Sequence, residues 1–489
     1  MKSIARILTV VFALALLVNP AFAQEPTDTD KRINELEKKI EQLMKDKAEE
    51  EKLPEQKLAS GAEAERTMEP VALRSFYDNG YLVWASKDGE FKYWLDGRLN
   101  LDAAVYDGSE NRLHDGVEAR RARIGVKATL FGDWLTEIDV DFADNAVEIK
   151  DLWAGYAGFD NSLIKFGNHK APFGLENLSS SKYIVFIERG YIDAWVPDRR
   201  IGLNYSYWGE NWQASAGVYG QPAGEFNDKD TYTGGGAGTD QPLNWVGRFS
   251  YAPLNESGRI LHFGIAGALM HPDISKLPTS GADLYDREDA AKIVKFDSRS
   301  ESHVSRAKFL STGDMKYVDS YELLGLEAAG VFGAFTFQGE YQTASVNRSE
   351  TTVAKVVDHD FSGYYGYVTW FITGETRPYY SSEGEFGRVM PKSKAGAWEV
   401  ALRYSNFDLN DITSVDAIKG GSADNITAAL NWYINPNHKI MFDVTAVNND
   451  EYAKPGKDFA PIPPGNSTAQ VPVYGDDFTI FAVRYQVAF

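Results

Sequence analysis

The chain has 489 residues, no cysteine, 13% aromatic residues and a formal charge of −20. Without cysteine no disulfide can hold an exported fold together, so a core or a closed sheet must do so. The acidic balance argues against a nucleic-acid partner, while 43 glycines among many aromatics suit strands joined by turns.

Residues 1–23 read as a secretory signal peptide: Lys2 and Arg6 precede an apolar run from Ile7 to Val18, and Ala21-Phe22-Ala23 supplies the small-residue cleavage site before Gln24. That run is too short to cross a bilayer as a helix, and no later stretch offers the roughly 20 apolar residues required. Membrane residence would therefore have to be by strands.

Residues 24–53 read as a short N-terminal coiled-coil helix, with Ile33, Leu36, Ile40 and Leu43 at heptad a and d spacing in an otherwise charged stretch. With only about two heptads, a single solvated helix or a disordered charged tail is the alternative. Pro54 ends the pattern, and residues 54–75 read as a linker.

From residue 76 to 489 strand-like segments alternate with Gly, Asp, Asn and Pro clusters. Between Ala119 and Phe131 the apolar set is Ala122, Ile124, Val126, Ala128 and Leu130, and the opposite set includes Arg121, Arg123, Lys127 and Thr129. After the turn Phe131-Gly132-Asp133, Trp134, Thr136, Ile138, Val140 and Phe142 oppose Glu137, Asp139 and Asp141. A soluble sandwich shows the same alternation. Repetition of the pattern, the aromatic cluster Tyr364, Tyr365, Tyr367, Trp370 and Phe371, and a last strand alternating to a terminal Phe489 favour a lipid-facing surface with interfacial girdles. The expected fold is all-β: a transmembrane antiparallel β-barrel over residues 76–489, with room for about sixteen strands and an aqueous lumen.

If the apolar stripes face lipid, the opposite stripes face the pore. Basic lumen candidates are Lys92, Arg98, Arg121, Arg123, Lys127, Lys165, Arg200, Arg248, Arg403, Lys439 and Arg484, against acidic Asp96, Asp102, Glu137, Asp139, Asp141, Glu327, Glu340, Glu399 and Asp443. Pairing about the turn at 131–133 puts Lys127 opposite Glu137 and Arg123 opposite Asp141, as wall ion pairs. Arg121 has no acidic partner in that register and is the better candidate for a passing anion. The strand texture breaks between Lys165 and Trp195, and a loop over 171–195 is expected to fold inward, bringing Lys165, His169, Lys170 and Arg189 toward a constriction; lying over the outer rim is the alternative.

Arg120-Arg121-Ala122-Arg123, Pro172-Phe173-Gly174-Leu175-Glu176 with Glu188-Arg189, Asp198-Arg199-Arg200-Ile201-Gly202 and Ala397-Trp398-Glu399-Val400-Ala401-Leu402-Arg403-Tyr404 together resemble the phosphate-selective porins of the O and P type, over most of residues 90–489. The resemblance implies an outer-membrane homotrimer of sixteen-stranded barrels, with an inward loop and a basic pore that draws phosphate or polyphosphate. The twin arginines match Arg120 and Arg121; Lys165, Lys170 and Arg189 match the family's loop basics only loosely. The tally of eleven basic lumen candidates against nine acidic departs from a strongly basic pore.

The expected function is passive diffusion of small hydrophilic solutes, anions such as phosphate first, with Arg121, Arg123, Lys127, Lys165, Lys170, Arg189 and Arg200 as anion-contacting residues. Outer-membrane lipids and small anions are the implied partners. A general or cation-tolerant porin is one alternative; a barrel tethered to the cell wall through its coiled coil is another. The scattered histidines and the absence of metal-ligand spacing point to neither catalysis nor a metal, and no cofactor is implied.

Overall fold

The computed structural model describes residues 71–223, 242–272, 292–349, 356–413, 415–461 and 471–489. The segments read as a signal peptide and a coiled coil, and most of the one read as a linker, through residue 70, lie outside these.

Sixteen antiparallel strands close into one barrel. They are β1 (Lys92–Asp107), β2 (Gly116–Leu130), β3 (Trp134–Asp141), β4 (Glu148–Tyr156), β5 (Ser162–Lys170), β6 (Arg199–Trp208), β7 (Trp212–Tyr219) and β8 (Asn244–Glu256). The other eight are β9 (Arg259–Met270), β10 (Val318–Phe332), β11 (Phe335–Arg348), β12 (His359–Phe371), β13 (Ala397–Asp411), β14 (Ile418–Asn435), β15 (His438–Asn449) and β16 (Phe478–Ala488). Neighbours in the chain are neighbours in the sheet, and β16 closes on β1 with Arg484 opposite Asp102 and Ala488 opposite Arg98. A hairpin, Leu73–Asp78 with Tyr81–Ser86, precedes the barrel and pairs with the start of β1 through Val83 and Trp94. Its first strand begins inside the segment read as a linker.

The period-two alternation decides which face meets lipid. On β12 the outward Tyr364, Val368 and Trp370 are 40–58% exposed, whereas the inward Tyr365, Tyr367 and Phe371 are at most 7% exposed. The aromatic cluster expected as a girdle is therefore split by the pleat. Its inward tyrosines are tied to the wall, Tyr365 donating to Glu340 at 2.6 Å and Tyr367 to Gln338 at 2.9 Å.

Short turns lie at the end that carries Phe489, which marks it as the periplasmic end. One connection there is long, residues 372–396, and it folds back with a small hairpin, Tyr379–Tyr380 with Glu385–Phe386. At the opposite end, residues 171–198 and 292–317 turn inward. They bury Phe173, Phe186, Tyr191, Trp195 and Phe296 against inward-facing Phe361, Tyr365 and Phe407 of β12 and β13. Each such aromatic removed from water contributes about 1.5–3 kcal/mol. Part of the lumen is thus an apolar core rather than the open aqueous channel that strand number alone implies.

Candidate functional site: the inserted loop and the cavity beside it

The loop that follows β5 begins at Ala171-Pro172, where a proline without an N–H ends the ladder. Gly174 then adopts φ +75°, and a Cβ there would lie 3.3 Å from both Glu340 Oε2 and Gln342 Nε2. This lets the helical turn Leu175–Leu178 press its first N–H groups onto the wall: Leu175 and Glu176 donate to Glu340 at 3.0 and 2.7 Å. At its far end Lys170 donates to the carbonyls of Asn177 and Leu178, and Arg189 to those of Glu176 and Ser179. An acceptor at the N-terminus and cations at the C-terminus match the turn's dipole.

Beyond it, residues 182–188 lie along the wall of β13–β16 and are held by lumen side chains in place of a neighbouring strand. Gln486 donates to the Lys182 carbonyl at 2.9 Å, Lys439 to Ile184 at 2.8 Å, Asn431 to Val185 at 2.8 Å and Arg403 to Glu188 at 2.9 Å. Arg484 donates to the Ile187 carbonyl, and the Ile187 N–H donates to Asp443 at 2.8 Å. Three basic lumen candidates, Arg403, Lys439 and Arg484, therefore hold the loop.

Glu188 is the hub. Arg120 grips it with Nε at 2.9 Å and Nη2 at 3.1 Å, Arg484 meets it at 2.8 Å and Arg121 at 3.8 Å. Burial alone would raise its carboxyl, but Arg120, Arg121 and Arg484 override that and hold it well below the usual carboxylate range. Arg121, without a carboxylate across its hairpin, thus finds one in the loop, and the residue is 4% exposed. Arg120 joins it because the β1–β2 register shifts between Asn100 and Leu101, a bulge that turns consecutive residues inward.

On the other side of the loop a cavity of about 630 Å³ opens between the β1–β8 wall, the loop and the 372–396 connection. Its wall carries the expected pair Lys127–Glu137 at 3.0 Å, and Lys127 also meets Asp96 at 3.1 Å. Lys182, from the loop, donates to Asp96 at 2.6 Å; burial pulls its ammonium down to about 8, against the pull of Asp96. Glu137, Asp139 and Asp151 come within 4.8 Å of one another. Each is matched by a cation: Lys127, Arg98 at 3.5 Å and Arg199 at 2.8 Å. Such a cluster, drawn from β3 and β4, is a wall of ion pairs.

Of the seven expected anion-contacting residues, Lys127, Lys165 and Lys170 line this cavity. Arg123 is paired with Asp141 at 2.6 Å, in the register expected. Arg189 braces the loop, and Arg200 donates to the carbonyls of Pro197 and Gly220 at 3.2 Å. Lys170 is spent on carbonyls, and Arg388, on the long connection, on those of Pro436 and Ala488. Arg248 is paired with Glu327 at 2.7 Å. Among the described residues on this cavity, Lys165 is the one Lys or Arg with neither carboxylate nor carbonyl as partner; its Nζ lies 4.5 Å from the Trp153 ring. Glu188, the bulge at Arg120 and the inward fold of 372–396 had no signal in the alternation, because each depends on contacts between segments far apart in the chain.

The family model for the phosphate-selective porins O and P matches residues 94–489. The chain belongs to that family. It is 27% identical over 405 residues to Porin O of Pseudomonas aeruginosa, covering 76% of this chain and 86% of that protein. An uncharacterized protein of Caulobacter vibrioides is 28% identical over 360 residues, 71% of this chain and 66% of that one. Among solved structures, the OmpT outer-membrane protein of Vibrio cholerae in its trimer form is similar at a TM-score of 0.46 and 10% identity, over 82% of this chain and 99% of that one. The porin is accordingly an outer-membrane channel for passive diffusion.

Proposed function

We propose that this porin passes small anions, phosphate among them, through the cavity beside the inserted loop, with Lys165 as the residue that selects charge. The observation that carries the reading is the ammonium of Lys165, which makes no hydrogen bond or close ion pair, on a wall whose other described cations are already bound. An anion there exchanges part of its hydration for one charge-assisted contact, and a single such contact is weak enough to release it. In the same reading, residues 1–23 direct export, residues 76–489 form the channel unit, and the chain assembles as a homotrimer in outer-membrane lipid with residues 24–53 as a coiled coil; the tie to the cell wall stays an alternative.

A general, cation-tolerant pore is the second reading, favoured by the ion pairing of Arg98, Lys127 and Arg199. Zero-current potentials of the refolded protein in a planar bilayer under a potassium chloride gradient separate the two. Anion preference that declines in Lys165→Gln supports the proposal, and phosphate titrated into the same membranes is expected to lower the chloride current. Cation preference, or a Lys165→Gln channel with unchanged potential, overturns it.

A further inference from the structure

Tryptophan in a membrane barrel ordinarily sits at the lipid interface, where ring and N–H are both accommodated. Trp134, Trp245 and Trp370 do so, 43–50% exposed on the outer face. Trp94, Trp153 and Trp208 line the cavity instead. Each faces inward beside an outward neighbour, Leu95, Leu152 or Tyr207, that is 43–45% exposed. Among the described residues none of these three indoles stacks on another ring or donates its N–H to the protein. Lys92 lies over the Trp94 ring at 5.3 Å and Lys165 over that of Trp153 at 4.5 Å, but an indole turned toward an aqueous passage forgoes the transfer free energy that lipid would supply, so their remaining surface and Trp208 favour an apolar occupant.

The charges around them narrow what that occupant is. Trp94, Lys127, Glu137 and Trp153 are successive partners in one row across β1–β4, so two ring faces flank an ion pair that is already neutral. Lys165 supplies a positive charge next to Trp153 that no hydrogen bond or close ion pair occupies, with Glu385 attracting it from across the cavity. Glu383 and Glu385 of the long connection face the same cavity and would repel a second negative charge. The volume, about 630 Å³, is that of a small-molecule site.

We infer that this cavity binds a ring-bearing organic monoanion, an aryl carboxylate by chemical class, with its carboxylate on Lys165 and its ring against Trp153 and the neighbouring indoles. The inference rests on the anion-passing reading and names a solute class for it. A bare multivalent anion would find one free ammonium and no use for the three indoles.

The test uses the full chain in planar bilayers, with benzoate, acetate and phosphate added as potassium salts and the chloride current recorded. Benzoate is expected to halve the current at a concentration about tenfold below that needed for acetate, the ratio one good ring contact produces. Trp153→Ala and, on a different strand, Trp208→Ala are expected to bring benzoate toward acetate, with the heat-modifiable migration of the folded barrel checked for each. Equal potency of benzoate and acetate overturns the site, as does a preference that survives both substitutions or phosphate acting at the benzoate concentration. Zero-current potentials in the same membranes separate the two claims. Anion preference without a benzoate effect removes this site and leaves the anion reading standing; a benzoate effect lost in Trp153→Ala, in a channel without anion preference, supports the site and removes the anion reading.

Discussion

The Glu340 carboxyl group on β11 accepts the backbone N–H of Glu176 at 2.7 Å, so an acidic side chain on the barrel wall caps the first turn of the loop that fills part of the lumen. Leu175 N–H and the Tyr365 hydroxyl donate to the same carboxyl group, at 3.0 and 2.6 Å. With Lys170 and Arg189 on the carbonyls at the far end, the turn is fastened from both sides. The width of the passage therefore depends on a strand that contributes nothing to the cavity lining.

Replacing Glu340 by Ala removes the acceptor of two backbone N–H groups, the Tyr365 hydroxyl and the Gln342 amide, at about 1–3 kcal/mol for each group that water does not reach. Faster proteolytic cleavage within 171–198 and noisier single-channel current are expected. Glu340→Gln, which keeps an acceptor oxygen, should fall between Ala and the parent. Cleavage rates and noise equal to the parent in Glu340→Ala would show that the loop is held elsewhere.

Arg484 spans the barrel closure. Its Nε and Nη2 donate to the two oxygens of Asp102 at 2.7 and 2.6 Å, and Nη2 also reaches Glu188. Arg484→Met strands Asp102, which is 4% exposed, and is expected to cost about 3–5 kcal/mol. Lysine cannot restore the paired contact. A lower temperature for the heat-induced shift in gel migration would report the loss, and adding Asp102→Asn should recover part of it. An unshifted transition in Arg484→Met would contradict the assignment.

Glu176 sets a pH dependence. Burial pushes its carboxyl up to about 7 from 4.5, against the pull of Arg403, the Gly190 N–H and Arg189. Between those values the folded chain keeps a proton that the unfolded chain has released. The stabilisation is thus complete below about 4.5 and is lost as pH rises through about 7. Denaturant midpoints taken across that interval should decline with pH in the parent and flatten in Glu176→Gln; an unchanged slope in the variant would assign the effect to another group.

Much of the wall was legible in the sequence. Alternation from Ala119 to Phe142 and about the turn at 131–133 placed Lys127 on Glu137 and Arg123 on Asp141, and both pairs form, at 3.0 and 2.6 Å. The reason is local: extended backbone sends successive side chains to opposite faces, and a short turn fixes which residues stand opposite. The same rule, applied strand by strand, separates Tyr364 and Trp370 from Tyr365, Tyr367 and Phe371.

What the alternation could not carry is how the lumen charges are used. Arg403, Lys439 and Arg484 point inward as read, but the partners they take include the carbonyls of Glu188, Ile184 and Ile187, and every residue has a carbonyl. Arg120 turns inward because β1 and β2 slip by one residue at Asn100, and Arg121 acquires Glu188 from a segment folded back across the pore. By itself the sequence determined the strands, their faces and the closed all-β barrel, because these follow from residue period and turn length. Only the tertiary structure decided which cations remain free, because neutralisation depends on distances between segments far apart in the chain, and it left Lys165 beside Trp153.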